Sequence, residues 1–192
     1  MMPHRADHKS ILLADLLPGL SALDWARHQP VSSLAIDSRD VERNGLWLAL
    51  EGSRQHALDH LAEARERGAV AVIAEPGGAW DRDRIARLSA ELPVVALPGL
   101  RRQAGEIAAR FFGHAAHTMR MIGVTGTNGK TSVAHYLAQA LSTRVPTAVL
   151  GTAGNGFPGD LQPSTHTTLD AVNLHALLGS LGLAAGPVVP TR

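Results

Sequence analysis

The stretch GVTGTNGKTS, residues 123–132, constrains the fold of this chain more than any other part of its sequence. It begins within an apolar segment typical of a strand (118–126) and ends at the start of a segment with helical spacing of apolar residues (131–141). Glycines at 126 and 129 allow the backbone to turn tightly between the two. A glycine-rich turn that joins a strand to a helix and ends in Lys-Thr is typical of a phosphate-binding loop.

This loop offers three kinds of group to a nucleotide. Its N–H groups and the helix N-terminus would surround the phosphates, Lys130 would act as the catalytic cation, and Thr131 would offer a hydroxyl to Mg²⁺. Lys130 is one of only two lysines among 18 lysine and arginine residues, and a planar guanidinium would fit such a loop poorly. The predicted ATP-binding residues are Gly126, Thr127, Asn128, Gly129, Lys130, Thr131 and Ser132.

One position departs from the standard phosphate-loop spacing. The pattern Gly-x-x-x-x-Gly-Lys-Ser/Thr requires a glycine at position 124, where this chain has Val124. The alternative interpretation is therefore a glycine-rich turn with a solvated lysine. The strand–loop–helix context and the Lys-Thr pair favour the phosphate-binding loop.

Strand-like and helix-like segments alternate along the chain, which predicts α/β architecture with largely parallel sheets. The predicted strands cover 31–37, 46–52, 69–75, 93–97, 118–126 and 146–152, and the predicted helices cover 58–68, 100–113, 131–141 and 169–182. The polar stretch 113–118 indicates a boundary between an N-terminal domain (1–115) and a second domain (116–192). Because the second domain has few strands, we expect it to be the incomplete start of a parallel-sheet ATP-binding domain.

Composition narrows the possible classes of protein. Hydrophobic residues make up 45% of the chain and charged residues 18%, which is typical of a globular protein. The net charge of +1 gives no reason to expect nucleic acid or a membrane surface as a partner, and the lack of cysteine excludes disulfides and thiolate metal sites. Neither a signal peptide nor a membrane-length apolar run is evident, so the expected location is the cytoplasm. The histidines at 56, 60, 114 and 117 are interpreted as surface or loop residues rather than metal ligands.

Four motifs in order give the chain a resemblance to a known family. TGTNGKTS after a valine resembles the phosphate loop of the Mur ligases, and IDSRDVERNGLWLALEG (36–52) resembles their N-terminal pattern. ARERGAVAVIAE (64–75) resembles the helix and strand that follow, and GTAGNG (151–156) with STHTTLDAV (164–172) resembles the stretch after the phosphate loop. The resemblance extends from residue 31 to about residue 182.

The resemblance implies an ATP- and Mg²⁺-dependent ligase of peptidoglycan precursor synthesis, and hence a role in cell wall biogenesis, cell shape and cell division. Such an enzyme would phosphorylate the D-glutamate carboxylate of UDP-MurNAc-L-Ala-D-Glu, and an amine of meso-diaminopimelate or L-lysine would attack the acyl phosphate. The sister ligase that adds D-Ala-D-Ala ranks second. The full-length enzyme is expected to be a monomer.

The resemblance also implies substrate-binding residues in the N-terminal domain. Ser38 matches a serine that contacts the uridine nucleotide, with Ile36 beside it, and the loop Ser53, Arg54 and Gln55 is a weaker match. The alternative for residues 37–39 is a turn at a strand end, held by a local side-chain hydrogen bond.

In the second domain, Thr167 and Thr168 match paired threonines that hold the diphosphate region, and His166 replaces the usual asparagine. The alternative for these threonines is capping of the helix that follows.

The end of the chain departs from the family. After position 182 the sequence reads LAAGPVVPTR, where the family has a strand, further Mg²⁺ and substrate contacts and a C-terminal domain. We therefore expect that these 192 residues alone do not complete the reaction. Two rival interpretations stay open: a generic P-loop ATPase or kinase, and a non-catalytic module that binds a UDP-sugar.

Overall fold

The computed structural model describes residues 10–88, 92–163 and 169–185. The chain divides into two compact units, residues 1–114 and 115–192. The strands are Ile11–Leu12 (β1), Pro30–Val31 (β2), Ser33–Ala35 (β3), Gly45–Ala49 (β4), Ala69–Ala74 (β5), Val94–Ala96 (β6), Val149–Gly151 (β7), Gly154–Phe157 (β8) and Asp160–Gln162 (β9). The α-helices are Leu13–Leu16 (α1), Asp24–His28 (α2), Leu61–Glu66 (α3), Arg82–Ala86 (α4), Leu100–Phe111 (α5), Lys130–Ser142 (α6) and Ala171–Ala185 (α7).

Four parallel strands, in the order β3-β4-β5-β6, form the sheet of the first unit. Apolar segments of this kind become parallel strands because helices cover both faces of the sheet. The register aligns Leu34 with Leu46, Trp47 with Val72, and Ile73 with Val95. The structure confirms the strands predicted at 31–37, 46–52, 69–75 and 93–97, although each observed strand is shorter.

Helix α5 follows the predicted amphipathic pattern. Its residues Leu100, Ala104, Ile107, Ala108 and Phe111 are all buried, as their spacing predicts. The helix begins after Gly99, and the chain leaves it through Gly113 at φ 80°, a left-handed conformation that favours glycine. Segment 58–68 is divided between a 3₁₀ turn, Ala57–His60, and α3.

Trp47 lies at the centre of the first unit's core. Its side chain is fully buried, and its indole N–H donates a 2.9 Å hydrogen bond to the carbonyl of Ile36. A buried indole requires such a partner, because an unpaired N–H in the core would cost free energy. Trp47 therefore anchors the residue that follows β3 to the strand beside it.

His56 lies in the loop after β4, as the sequence predicts, but it is buried there rather than at the surface. Only 7% of it is exposed. Its Nδ1 accepts a 3.1 Å hydrogen bond from the N–H of Leu58, and its Nε2 lies 2.7 Å from the carbonyl of Glu75. The ring is buried because it satisfies two backbone groups that follow β4 and β5, and its two nitrogens are then both engaged.

The second unit differs from its prediction. Residues 120–125 form no regular element, although 118–126 is predicted as a strand, and none of the unit's described strands pairs with them. A strand needs a hydrogen-bonded neighbour, and here Met121 and Ile122 are 59% and 62% exposed. The described sheet of this unit is β7-β8-β9 with antiparallel pairing, so the parallel sheet predicted for it is wrong for these residues.

Helices α6 and α7 confirm the predictions at 131–141 and 169–182. The apolar residues of α6 with helical spacing are less buried than their pattern predicts, because Val133 and Leu137 are 46% and 38% exposed. In the parts of the chain that the structure describes, every helix is too short or too polar to cross a membrane.

We predict that His56→Ala lowers the free energy of unfolding of the first unit by about 2 kcal/mol or more, because it leaves a buried N–H and a carbonyl without a partner. Urea unfolding followed by tryptophan fluorescence measures this directly, since Trp25, Trp47 and Trp80 all lie in the first unit. His60→Ala is the control, because His60 is exposed. Equal stability of the two variants would contradict the role assigned to His56.

Candidate functional site

The candidate residues of the first unit follow the carboxyl ends of neighbouring parallel strands. Ile36 and Ser38 come after β3, and the loop 53–55 comes after β4. Since parallel strands end at the same edge of a sheet, the structure brings these predicted residues to one edge, where open α/β sheets commonly bind ligands.

A hydrogen-bonded turn occupies residues 37–39. The Asp37 carboxylate accepts from the N–H of Arg39 at 2.9 Å and from its guanidinium at 2.9 and 2.6 Å. The hydrogen bonds from the Arg39 side chain, opposed by partial burial and helped by the Arg39 N–H, lower the pKa of Asp37 from 3.8 to about 2. The local turn that the sequence allows is thus present, and the ligand role of Ser38 stays a prediction.

Ser38 lies inside this turn and is 7% exposed. Its hydroxyl donates a 2.8 Å hydrogen bond to Oε2 of Glu63 on α3. The other carboxylate oxygen of Glu63 lies 3.4 Å from Nε of Arg67. Sequence analysis did not single out Glu63, because no spacing relates a helix residue to a turn 25 positions earlier.

The loop after β4 is exposed at Ser53, Arg54 and Gln55. The amide nitrogen of Gln55 lies 2.6 Å from Nε2 of His60. Arg101 at the start of α5 donates to the carbonyl of Glu51, and its backbone N–H lies 3.3 Å from Oε1 of Glu75. This loop therefore presents polar groups to solvent, while Arg101 holds the backbone at Glu51, just before the loop.

The predicted phosphate loop precedes a helix whose N-terminus is open. Gly126 and Gly129 adopt φ values of 147° and 76°. An added Cβ would find nothing within 4 Å at Gly129, so glycine is needed there for its conformation rather than for space. Helix α6 begins at Lys130, within described residues, with neither a side-chain cap nor an acidic residue in its first turn. Its first N–H groups are therefore available to an anion.

The Lys130 side chain folds over this loop. Its ammonium donates to the carbonyl of Gly126 at 2.5 Å and lies 3.5 Å from the carbonyl of Thr127. All residues from Thr125 to Ser132 are exposed. The chain thus holds a cation beside open backbone donors, an arrangement suited to polyphosphate. The individual ATP-binding assignments stay predictions.

Metal binding and the second substrate motif are less defined. Among the described residues, no cluster of three or more histidine, aspartate or glutamate side chains could hold a metal ion. His166, Thr167 and Thr168 lie outside the described residues.

The sequence of this chain matches known proteins over most of its length. Residues 124–184 match the Mur ligase middle domain. Over 170 residues the chain is 46% identical to the UDP-N-acetylmuramoyl-L-alanyl-D-glutamate--2,6-diaminopimelate ligase of Alkalilimnicola ehrlichii. The aligned region covers 86% of this chain and 34% of that relative. The chain is thus similar to the Mur ligases over most of its own length. The resemblance noted in the sequence is confirmed.

Two further comparisons agree with this family. The Pseudomonas aeruginosa ligase of the same name is 39% identical over 160 residues, with 83% of this chain and 32% of the relative covered. A solved structure of a ligase with that name has a TM-score of 0.74 at 30% identity and covers 92% of this chain and 34% of its own. The chain spans about a third of the length of the curated relatives that it matches.

A solved D-alanyl-D-alanyl ligase from Acinetobacter baumannii shares the fold alone, with a TM-score of 0.56 at 20% identity over 90% of this chain and 34% of its own. Together with the ligase of higher identity, it confirms the α/β fold class of this chain.

We predict that Arg39→Gln raises the pKa of Asp37 from about 2 towards 3.8, because the variant removes the charged donor. Since the folded-state pKa is depressed, the stability that Asp37 contributes is present above about pH 4 and is lost as pH falls through about 2. Carboxylate ¹³C NMR titration of the full chain measures the change. Arg102→Gln, an exposed arginine on α5, should leave the titration unchanged.

Proposed function

We propose that this chain handles the nucleotides of an ATP-dependent ligase that adds 2,6-diaminopimelate to UDP-N-acetylmuramoyl-L-alanyl-D-glutamate. The observation that carries the proposal is its 46% identity, over 170 residues, to a ligase of that name. The names of the relatives favour diaminopimelate over L-lysine as the added amino acid. Such an enzyme works on peptidoglycan precursors in the cytoplasm, and we propose that it does so as a monomer.

In this proposal the loop before α6 binds the polyphosphate of ATP. Exposed N–H groups at the helix N-terminus would face the phosphate oxygens, and the left-handed glycines keep side chains out of the way. Lys130 would turn its ammonium from the Gly126 carbonyl to the β- and γ-phosphates, where it offsets negative charge on the transferred group.

The loop also fits a magnesium ion. Thr131 follows Lys130 and is exposed in the first turn of α6, where its hydroxyl would be one oxygen ligand beside those of the phosphates. A single protein ligand agrees with the lack of a metal-binding cluster among described side chains, since Mg²⁺ in nucleotide sites keeps waters and phosphates as ligands. When bound, the ion would neutralise charge on the β- and γ-phosphates.

The carboxyl edge of the first unit's sheet would bind the uridine nucleotide of the second substrate. The supporting geometry is the position of Ile36, Ser38 and the loop 53–55 after neighbouring strands. We also propose, on the resemblance alone, that His166, Thr167 and Thr168 contact the diphosphate region of that substrate.

A non-catalytic UDP-sugar-binding role is the second candidate. It is supported by the position of Ile36, Ser38 and the loop 53–55 at one edge of the first unit's sheet, which does not depend on the loop before α6. The two candidates share UDP binding and differ in whether ATP binds at the loop before α6.

We predict that Lys130→Ala lowers the affinity of the full chain for MgATP at least tenfold, because it removes the ammonium that balances phosphate charge. Isothermal titration calorimetry measures the affinity. Arg144→Ala is the matched control, since it removes an exposed cation just beyond the other end of α6.

Unchanged MgATP affinity in Lys130→Ala would refute the phosphate-loop assignment. UDP binding by a wild-type chain that binds no ATP would instead favour the non-catalytic module. Phosphate release with ATP alone, independent of any UDP-sugar, would favour a generic ATPase.

We also predict that the 192-residue chain releases no phosphate when given ATP, the UDP-muramoyl dipeptide and diaminopimelate. The physical reason is that these 192 residues correspond to about a third of the relatives' length, so they hold only part of the groups that such a ligase would use. A coupled phosphate assay tests this. Turnover above the level of Lys130→Ala would contradict it.

A further inference from the structure

Glu63 determines what kind of atom Ser38 can bind. The Ser38 hydroxyl donates a hydrogen bond to Oε2 of Glu63 at 2.8 Å, and only 7% of Ser38 is exposed to solvent. We propose that Glu63 is a positioning residue that keeps Ser38 as a hydrogen-bond acceptor, so that Ser38 receives an N–H or O–H from the nucleoside half of the UDP ligand. This inference rests on the proposed binding of a uridine nucleotide at this edge of the sheet.

The hydrogen-bonding capacity of a serine limits what Ser38 can bind. A hydroxyl has one proton to donate and two lone pairs that accept. A carboxylate is the strongest acceptor that a protein offers, and O–H···O⁻ bonds are stronger than neutral ones. With its proton on Glu63, Ser38 has only lone pairs left for a ligand.

A phosphate group cannot use the lone pairs that Ser38 has left. The diphosphate of UDP has acceptor oxygens and no proton to donate near neutral pH, so it cannot bond to a lone pair of Ser38. If it displaced Glu63, the Glu63 carboxylate would lose the Ser38 donor and lie within a few ångströms of the diphosphate, where the negative charges repel. The nearby guanidinium groups of Arg39 and Arg67 already pair with the carboxylates of Asp37 and Glu63, which reduces the positive charge that they offer to a phosphate.

The nucleoside half does carry suitable donors. Uracil presents one N–H, at N3, and the ribose presents two hydroxyls. A bond from one of these to Ser38 would distinguish uridine from a base or sugar that lacks the donor, since an unmatched buried polar group costs binding energy. Glu63 would therefore contribute to selectivity without touching the ligand.

The fixed position of α3 supports this role. Glu63 lies in a helix of six residues, and its second oxygen is 3.4 Å from Arg67 one turn later. Glu66, in the same helix, is exposed and is a residue of the same type, so it provides a matched control.

The test compares UDP with N3-methyl-UDP, 2′-deoxy-UDP and 3′-deoxy-UDP by calorimetry on the full chain. We expect the wild-type chain to bind UDP about tenfold more tightly than at least one of the three, which identifies base or sugar as the donor. Ser38→Ala and Glu63→Ala should each reduce that ratio to about one. Glu63→Gln, which keeps an acceptor oxygen, should retain it, and Glu66→Ala should not change it.

A double variant tests whether Glu63 acts through Ser38. Ser38→Ala with Glu63→Ala should show the same ratio as Ser38→Ala alone, because the second change then removes nothing further. Should Glu63→Ala lose its fold by tryptophan fluorescence, Glu63→Leu removes the acceptor while filling the space.

The outcomes separate the two proposals. If the wild-type chain binds no UDP, both the proposed uridine site and this inference fail. If UDP binds but all three analogues bind equally well, or if Glu63→Ala leaves the ratio unchanged, only the inference fails. It also fails if Ser38→Ala instead changes the ratio between UDP and uridine, since that would assign Ser38 to the phosphates.

Discussion

The parallel pairing of four short strands, β3 to β6, is the constraint on which the first unit depends. The strands are mostly buried and, apart from Ser33 at the start of β3, carry no polar side chain, so such a sheet needs helices on its faces and places polar groups after the strand ends. The carboxyl edge therefore collects the groups capable of chemistry. This is a consequence of burial, and it holds whichever ligand the edge binds.

Hydrogen bonds to backbone N–H and carbonyl groups then hold the loops at that edge in place. His56 closes the loop after β4 by pairing with one N–H and one carbonyl, and the indole of Trp47 does the same for the carbonyl of Ile36. Asp37 and Arg39 fix the turn between them, and Ser38 ties it to α3 through Glu63. The loops are held by buried hydrogen bonds, so their exposed residues keep defined positions from which a ligand can be recognised.

The predicted phosphate loop follows a different physical rule. Its geometry depends on two glycines in left-handed or extended positive-φ conformations and on the unpaired N–H groups at the start of α6. These are local properties, so the loop forms here even though residues 120–125 before it make no strand. In the present arrangement the ammonium of Lys130 uses the loop's own carbonyls as partners.

Sequence by itself determined the local features: the four apolar strands of the first unit, the amphipathic α5, the α6 helix after the glycine turn, and the family motifs. Periodicity and glycine placement encode these directly, because they depend on residues close in the chain. Tertiary structure alone decided that His56 is buried against the Glu75 carbonyl, and that Glu63 accepts the hydrogen bond of Ser38. Those outcomes depend on which distant backbone or side-chain groups become neighbours on folding, and no local pattern specifies that.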